Sequence, residues 1–228
     1  MARGVIFDVD GTLVASNDAH ALSWVETFSE VGHDVPFGVI RPMIGMGGDK
    51  IMPAAVGIEA DSDEGQRLVE RRWEIFQRNH LAGLKPTPGA RALVERLKSE
   101  GFELVIATSA GGTESSAILE AAGLDDIFRK RTSSSDAEDS KPDPDIVRAA
   151  VRKSGCKPED LVMIGDTPYD IQAATGAGVP LVAVLTGGCT VQELAGAIAI
   201  YDDPGDLMRG FDFGGGVRIE ANCGLRTR

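Results

Sequence analysis

The stretch Val5-Ile6-Phe7-Asp8-Val9-Asp10-Gly11-Thr12 constrains this chain more than any other. Its apolar start, rich in β-branched residues, predicts a buried strand that ends on two acids one residue apart. Side chains along a strand repeat with period two, so Asp8 and Asp10 leave the strand end toward the same side. Gly11 then lets the backbone turn sharply. Two crowded carboxylates repel each other and gain nothing from packing. A compensating charge is required, and a divalent cation that prefers hard oxygen ligands is the natural candidate. A lone pair of acids would read as a solvated strand end. Three further segments of matching chemistry follow it in order, and they argue against that reading.

The hydrophobic periodicity downstream divides the chain. Ala21, Trp24, Val25 and Phe28 follow helical spacing, with Gly32 as a stop. Arg41 to Lys50 is too glycine-rich for a regular element and reads as a loop leading into a helix near 50–56. A second helix carries Val69, Trp73 and Phe76 on one face, with Asp63, Glu64, Arg67, Arg71 and Arg72 read as solvated. No strand signal appears between about residues 15 and 85, which predicts an all-helical insert. From Pro86 the pattern changes. Thr87-Pro88 reads as an N-cap with proline at the first helical position, and Asp143-Pro144 and Thr167-Pro168 repeat that chemistry. Strands are expected at 103–107, 128–132, 161–165, 181–185 and 197–201, with helices between them. One of these helices spans 113–122, and a short one follows the capping-box pattern Thr190 to Glu193. Strands alternating with helices imply an α/β fold, a doubly wound parallel (Rossmann-like) sheet. The expected organisation is a core from residues 1–15 and 86–210, a helical cap from 16–85, and a tail from 211–228. The tail lacks periodicity, is expected to be loosely ordered, and receives no role.

Charge narrows the partners. With 35 acids against 23 bases, the net charge is -12, which argues against nucleic acid and anionic membranes. A phosphate-bearing substrate would need a local cationic site. Cys156, Cys189 and Cys223 are odd in number and form no CxxC, which fits a reducing compartment; Cys156 and Cys189 read as inert. No apolar run approaches membrane length, and acids interrupt the place of a secretory signal, so the expectation is cytoplasmic.

In open α/β sheets, ligands bind beyond the carboxyl ends of the strands. Those ends carry Asp8 and Asp10, then Thr108-Ser109, then Lys141-Pro142, then Gly165-Asp166-Thr167-Pro168-Tyr169-Asp170. In this order the segments resemble the four motifs of the haloacid dehalogenase-like hydrolase superfamily, over about residues 4–203. The insert is similar to the helical cap of its phosphoglycolate phosphatase and β-phosphoglucomutase branch, and His20 and Trp24 fall where that branch often carries His and Trp. The resemblance implies a phosphatase acting on a small phosphorylated metabolite. Asp8 would be the nucleophile and Asp10 the acid and base. Mg²⁺ would be held by Asp8, Asp10 (through its carbonyl), Asp166 and, through water, Asp170. Thr108 and Lys141 would bind the phosphoryl oxygens, with Ser109 and the amides near Ala110 as further donors.

Other readings stay beside this one. Dehalogenases and phosphonoacetaldehyde hydrolase lack an acid at the position of Asp10. Mutases of the branch usually show Glu-Asp where this chain has Gly165-Asp166. A catalytically silent binding protein on the same fold would have lost one of Asp8, Asp10, Lys141 or Asp166. In the cap, Lys50 and the weaker candidate Arg41 are expected to reach a substrate's leaving group. The plain alternative is that Lys50 is a solvated lysine. Asp170, three residues after Thr167, also reads as a capping-box acid. His20 reads as a hinge or packing histidine, and His33 and His80 as surface or interface residues. The chain is expected to be a monomer or a homodimer.

Overall fold

A computed structural model describes residues 3–213. Its centre is a six-stranded, wholly parallel sheet in the order β3-β2-β1-β4-β5-β6. The strands are β1 (Gly4–Phe7), β2 (Glu103–Ala107), β3 (Lys130–Thr132), β4 (Leu161–Gly165), β5 (Leu181–Val184) and β6 (Ala199–Tyr201). β1 lies between β2 and β4, with Phe7 paired to Ile106 on one side and Ile164 on the other. The strand order reverses there, so the switch-point crevice of this fold opens directly after β1.

Both faces of the sheet are covered, as an all-parallel sheet requires. Alternate residues face opposite ways. Val5, Phe7, Leu104, Ile106, Val162 and Ile164 pack against α5 (Ala90–Ser99), α6 (Gly112–Ala121) and α9 (Pro204–Gly210). Ile6, Val105, Ala107 and Met163 pack against α7 (Asp145–Ser154) and α8 (Pro168–Gly176). Between β1 and α5 come four helices: α1 (Asn17–Glu30), α2 (Phe37–Ile40), α3 (Gly48–Val56) and α4 (Asp63–Asn79). They form an inserted helical cap with an apolar cluster of its own, which contains Trp24, Phe28, Ile40, Ile51, Met52 and Leu68. Phe76 of α4 is instead buried in the cluster of the sheet, where Ala19 and Trp73 also pack, and ties cap to core.

Several local expectations are corrected. Thr87 does not cap α5. Its hydroxyl donates to the Thr12 carbonyl at 2.6 Å, and the helix starts after Gly89 instead. Asp143 does not cap α7, which starts after Pro144 without a side-chain cap; its carboxylate faces Lys50 at 3.1 Å. Thr190 and Glu193 exchange the two expected hydrogen bonds, yet turns follow instead of a helix, because the chain must return at once to β6. The strand expected at 128–132 is confined to Lys130–Thr132. Helices α2 and α9 carried too few residues to show a period. Phe213, assigned to the loose tail, is buried against Phe102 and Phe211. The remainder of that tail, residues 214–228, lies outside the described residues. Among those described, no helix is long and apolar enough to cross a membrane.

Two glycines permit the tight packing beyond β1. Gly11 adopts φ +79° in the turn after Asp10. A Cβ on Gly187, in the turn after β5, would lie 1.7 Å from Asp166 Oδ2. Gly187→Ala is therefore expected to destabilise the fold by about 1–3 kcal/mol, the usual effect of overpacking. Gly83→Ala, where an added Cβ meets nothing, is the control. Urea midpoints of the two variants compare them directly.

Candidate active site

The ends of the neighbouring strands β1 and β4 meet the start of α8 and the loop before α7. Asp8 directly follows β1 and Asp166 directly follows β4, while Asp170 sits in the first turn of α8. Their carboxylates offer oxygens that all lie within 4.8 Å of one another, and all three residues are buried. Lys141 reaches this cluster from the loop before α7 and is 1% exposed. Its ammonium donates to Asp8 Oδ1 and, at 2.8 Å, to Asp170 Oδ1. Asp170 also fulfils its capping role, since its Oδ2 accepts from the Thr167 amide at 3.1 Å and hydroxyl at 2.7 Å. Asp166 accepts from the Thr12 hydroxyl at 2.7 Å and the Asn17 amide at 3.0 Å.

The electrostatics of the cluster are unbalanced. Burial pushes the Asp8 carboxyl well above its ordinary range, and Asp170, Asp166 and Asp10 add to this against the opposing pull of Lys141. Burial and the neighbouring Asp170 push Asp166 up to about 7, against the hydrogen bonds from Thr12 and Asn17. Burial works against the charge of Lys141, but Asp170 and Asp8 outweigh it and hold the ammonium above its usual pKa. One ammonium cannot neutralise three carboxylates. The donor set, all hard oxygens, fits a small divalent cation. So does the buried Asn17 Oδ1 beside Asp166, which has no hydrogen-bond partner.

Asp10 points elsewhere. Its Oδ1 accepts from Ser16 at 2.5 Å and contacts His20 Nε2 at 2.8 Å. Burial alone would raise its pKa, but the charge and hydrogen bond of His20 and the Ser16 hydroxyl outweigh burial and lower it. Its side chain is thus not in the carboxylate cluster. His20 stacks on Phe76, with ring centres 4.4 Å apart, and so does pack as its sequence position suggested. Its contact with Asp10 carried no signal in the sequence.

Arg72 of α4, read from the sequence as solvated, is buried. It forms a two-pronged pair with Glu114 of α6, at 2.5 and 2.6 Å, and lies 3.3 Å from His20 Nδ1. The missed signal was the spacing Leu68, Arg72, Phe76, which puts the arginine on the apolar face of its helix. Thr108 is buried after β2, and its hydroxyl accepts from the Ala110 amide at 3.1 Å. Ser109 and Ala110 line the same crevice, at the uncapped start of α6, where backbone amides favour anions. Lys50 and Arg41 are engaged by acids of the chain. Lys50 pairs with Asp139 at 2.7 Å and Asp143 at 3.1 Å. Arg41 pairs with Asp18 at 2.5 Å and donates to the Gly187 carbonyl at 2.6 Å. Cap and strand ends together enclose a cavity of about 350 Å³.

Comparison with known proteins identifies the family and agrees with the fold. Residues 5–184 match the haloacid dehalogenase-like hydrolase family, and the chain belongs to it. It is 32% identical to a phosphoglycolate phosphatase of Rhodospirillum rubrum, over 99% of this chain and 98% of that protein. A hydrolase of Pseudomonas syringae superposes with a TM-score of 0.84 at 32% identity, covering 90% of this chain and 96% of the other. The structure of CbbY from Rhodobacter sphaeroides in complex with phosphate gives 0.78 at 25% identity, covering 91% and 96%.

The Arg72–Glu114 pair joins cap to core with both side chains about nine-tenths buried. Removing one partner leaves an uncompensated buried charge. Arg72→Met is expected to destabilise by about 3–5 kcal/mol, and adding Glu114→Leu to restore most of the loss. Denaturant unfolding of the single and double variants measures both.

Proposed function

We propose that this member of the haloacid dehalogenase-like hydrolase family is a Mg²⁺-dependent phosphatase of small phosphorylated metabolites, working through an aspartyl-phosphate. The observation that carries the reading is the buried triad Asp8, Asp166 and Asp170, in which Asp8 and Asp170 share the single ammonium of Lys141. The relatives named phosphoglycolate phosphatase, and the CbbY structure with phosphate, support the same class of substrate.

Asp8, Asp166 and Asp170 would hold the cation, with the Asp10 carbonyl as a further ligand. Once bound, the cation supplies positive charge that lets two anions meet. The remaining chemistry belongs to the chain. Lys141 donates to the Asp8 carboxylate and opposes the burial that disfavours its charge. Asp8 attacks phosphorus, a P–O bond forms to its carboxylate, and the ester P–O bond breaks. Asp10, once it has taken up a proton against the pull of His20 and Ser16, gives it to the departing alkoxide, then takes one from the water that hydrolyses the acyl phosphate. Inorganic phosphate and an alcohol result, and Asp8 and Asp10 return to their starting states. Thr108, Lys141, Ser109 and the amide of Ala110 donate to the phosphoryl oxygens, where charge gathers in the transition state. The enclosing cap excludes bulk water during the first step. The core comprises residues 1–15 and 86–210 and the cap 16–85, and the cysteine usage fits the reducing cytoplasm.

Purified protein should hydrolyse acetyl phosphate with Mg²⁺ and lose that activity in EDTA. Asp8→Asn should abolish turnover, and Asp10→Asn should lower kcat for alkyl phosphates by about 10²-fold or more. Undiminished activity in Asp8→Asn would overturn the mechanism.

A further inference from the structure

The cavity has two ends of different character. Its floor, at the strand ends, presents Asp8, Thr108 and the amides of α6. Its cap-side wall presents Trp24, Ile44, Met46 and Ile51. Whatever is esterified to the phosphoryl group must lie between them.

Charge on the remaining wall decides what that group can be. Three acids away from the nucleophile line it: Asp49, Glu114 and Glu138. Among the described lining residues, Arg72 is the one arginine or lysine. Both of its terminal nitrogens are bound to Glu114, so that pair adds no net charge. Asp49 and Glu138 remain. Asp49 accepts from the Ser140 hydroxyl, and the nearest ammonium, that of Lys50, is 3.9 Å away and shared with Asp139 and Asp143. Glu138 makes no ion pair with a described residue. The first turn of α3 also opens here, and its amides would attract an anion, but Asp49 already occupies that turn. Arg72 Nε is buried with no hydrogen-bond partner. A neutral oxygen can accept from it without bringing charge. A second carboxylate would meet Asp49 and Glu138, while the basic side chains of the wall, Arg72 and His20, are already engaged by Glu114 and Asp10.

We propose that this cavity takes phosphomonoesters whose leaving group is uncharged or cationic and donates hydrogen bonds to Asp49 and Glu138, and that it rejects leaving groups carrying a carboxylate. This rests on the phosphatase reading above. It separates the chain from relatives named for phosphoglycolate, whose leaving group carries a carboxylate.

Three esters of the same two-carbon length test the idea with Mg²⁺ present: phosphoethanolamine, 2-hydroxyethyl phosphate and 2-phosphoglycolate. Acetyl phosphate reports the phosphoryl site itself. The expected result is a kcat/KM for the ammonium and hydroxyl esters at least ~10-fold above that for 2-phosphoglycolate. The double variant Asp49→Asn/Glu138→Gln keeps shape and hydrogen bonding and should close most of that gap. If the esters turn over too slowly to rank, their inhibition constants against acetyl phosphate should fall in the same order. Equal or better use of 2-phosphoglycolate, or a preference unmoved in the double variant, overturns the proposal while acetyl phosphate turnover leaves the phosphatase reading standing. Failure to hydrolyse any of the four compounds overturns both.

Discussion

The ammonium of Lys141, buried between Asp8 and Asp170, is the interaction on which the rest of the structure depends. Three carboxylates at the ends of two neighbouring strands and the start of a helix would repel one another strongly without a cation. The lysine lowers that repulsion without cancelling it. The surrounding turns then serve to hold the acids in place. Thr12 and Asn17 donate to Asp166, Thr167 caps α8 through Asp170, and glycines at 11 and 187 leave room for the Asp166 carboxylate. A surplus of buried negative charge held this firmly suits a site for a metal, which brings the positive charge that the cluster lacks and that an anionic phosphoryl group needs.

A second buried network lies about Asp10 and connects the core to the cap. Asp10 contacts His20, His20 stacks on Phe76, and Arg72 reaches both His20 and Glu114. Cap helices α1 and α4 and core helix α6 therefore meet around the acid assigned to proton transfer. The same side chains join the cap to the core and contact that acid. The wall above them is left acidic, which gives the cavity its proposed preference among leaving groups.

The core was legible because its signals are local and periodic. Short β-branched runs flanked by glycine and proline mark β1, β2, β4 and β5, and Asp8 and Asp166 directly follow β1 and β4. Asp8 and Asp166 follow from the rule that strand ends of a parallel sheet converge, whereas Lys141, in the loop beyond β3, and Asp170 stand out through the resemblance to the family's motifs. What remained hidden was set by tertiary contacts. Thr87 and Asp143 have cap-forming sequences but are drawn to the Thr12 carbonyl and to Lys50. Arg72 looks solvated until its partner Glu114, 42 residues away, is known. Lys50 looks free until Asp139 and Asp143 are folded beside it.

The central claim is that the cluster of Asp8, Asp166 and Asp170 is a cation site completed by Lys141. Thermal unfolding with and without Mg²⁺, in the absence of any substrate, tests it most directly. A ligand bound only by the folded state stabilises by about 2.7 kcal/mol when present at 100 times its Kd. The account predicts that the melting midpoint of the wild-type protein rises with added Mg²⁺, and that the rise disappears in Asp166→Asn. A midpoint indifferent to Mg²⁺, or one that rises equally in the wild type and in Asp166→Asn, would contradict it.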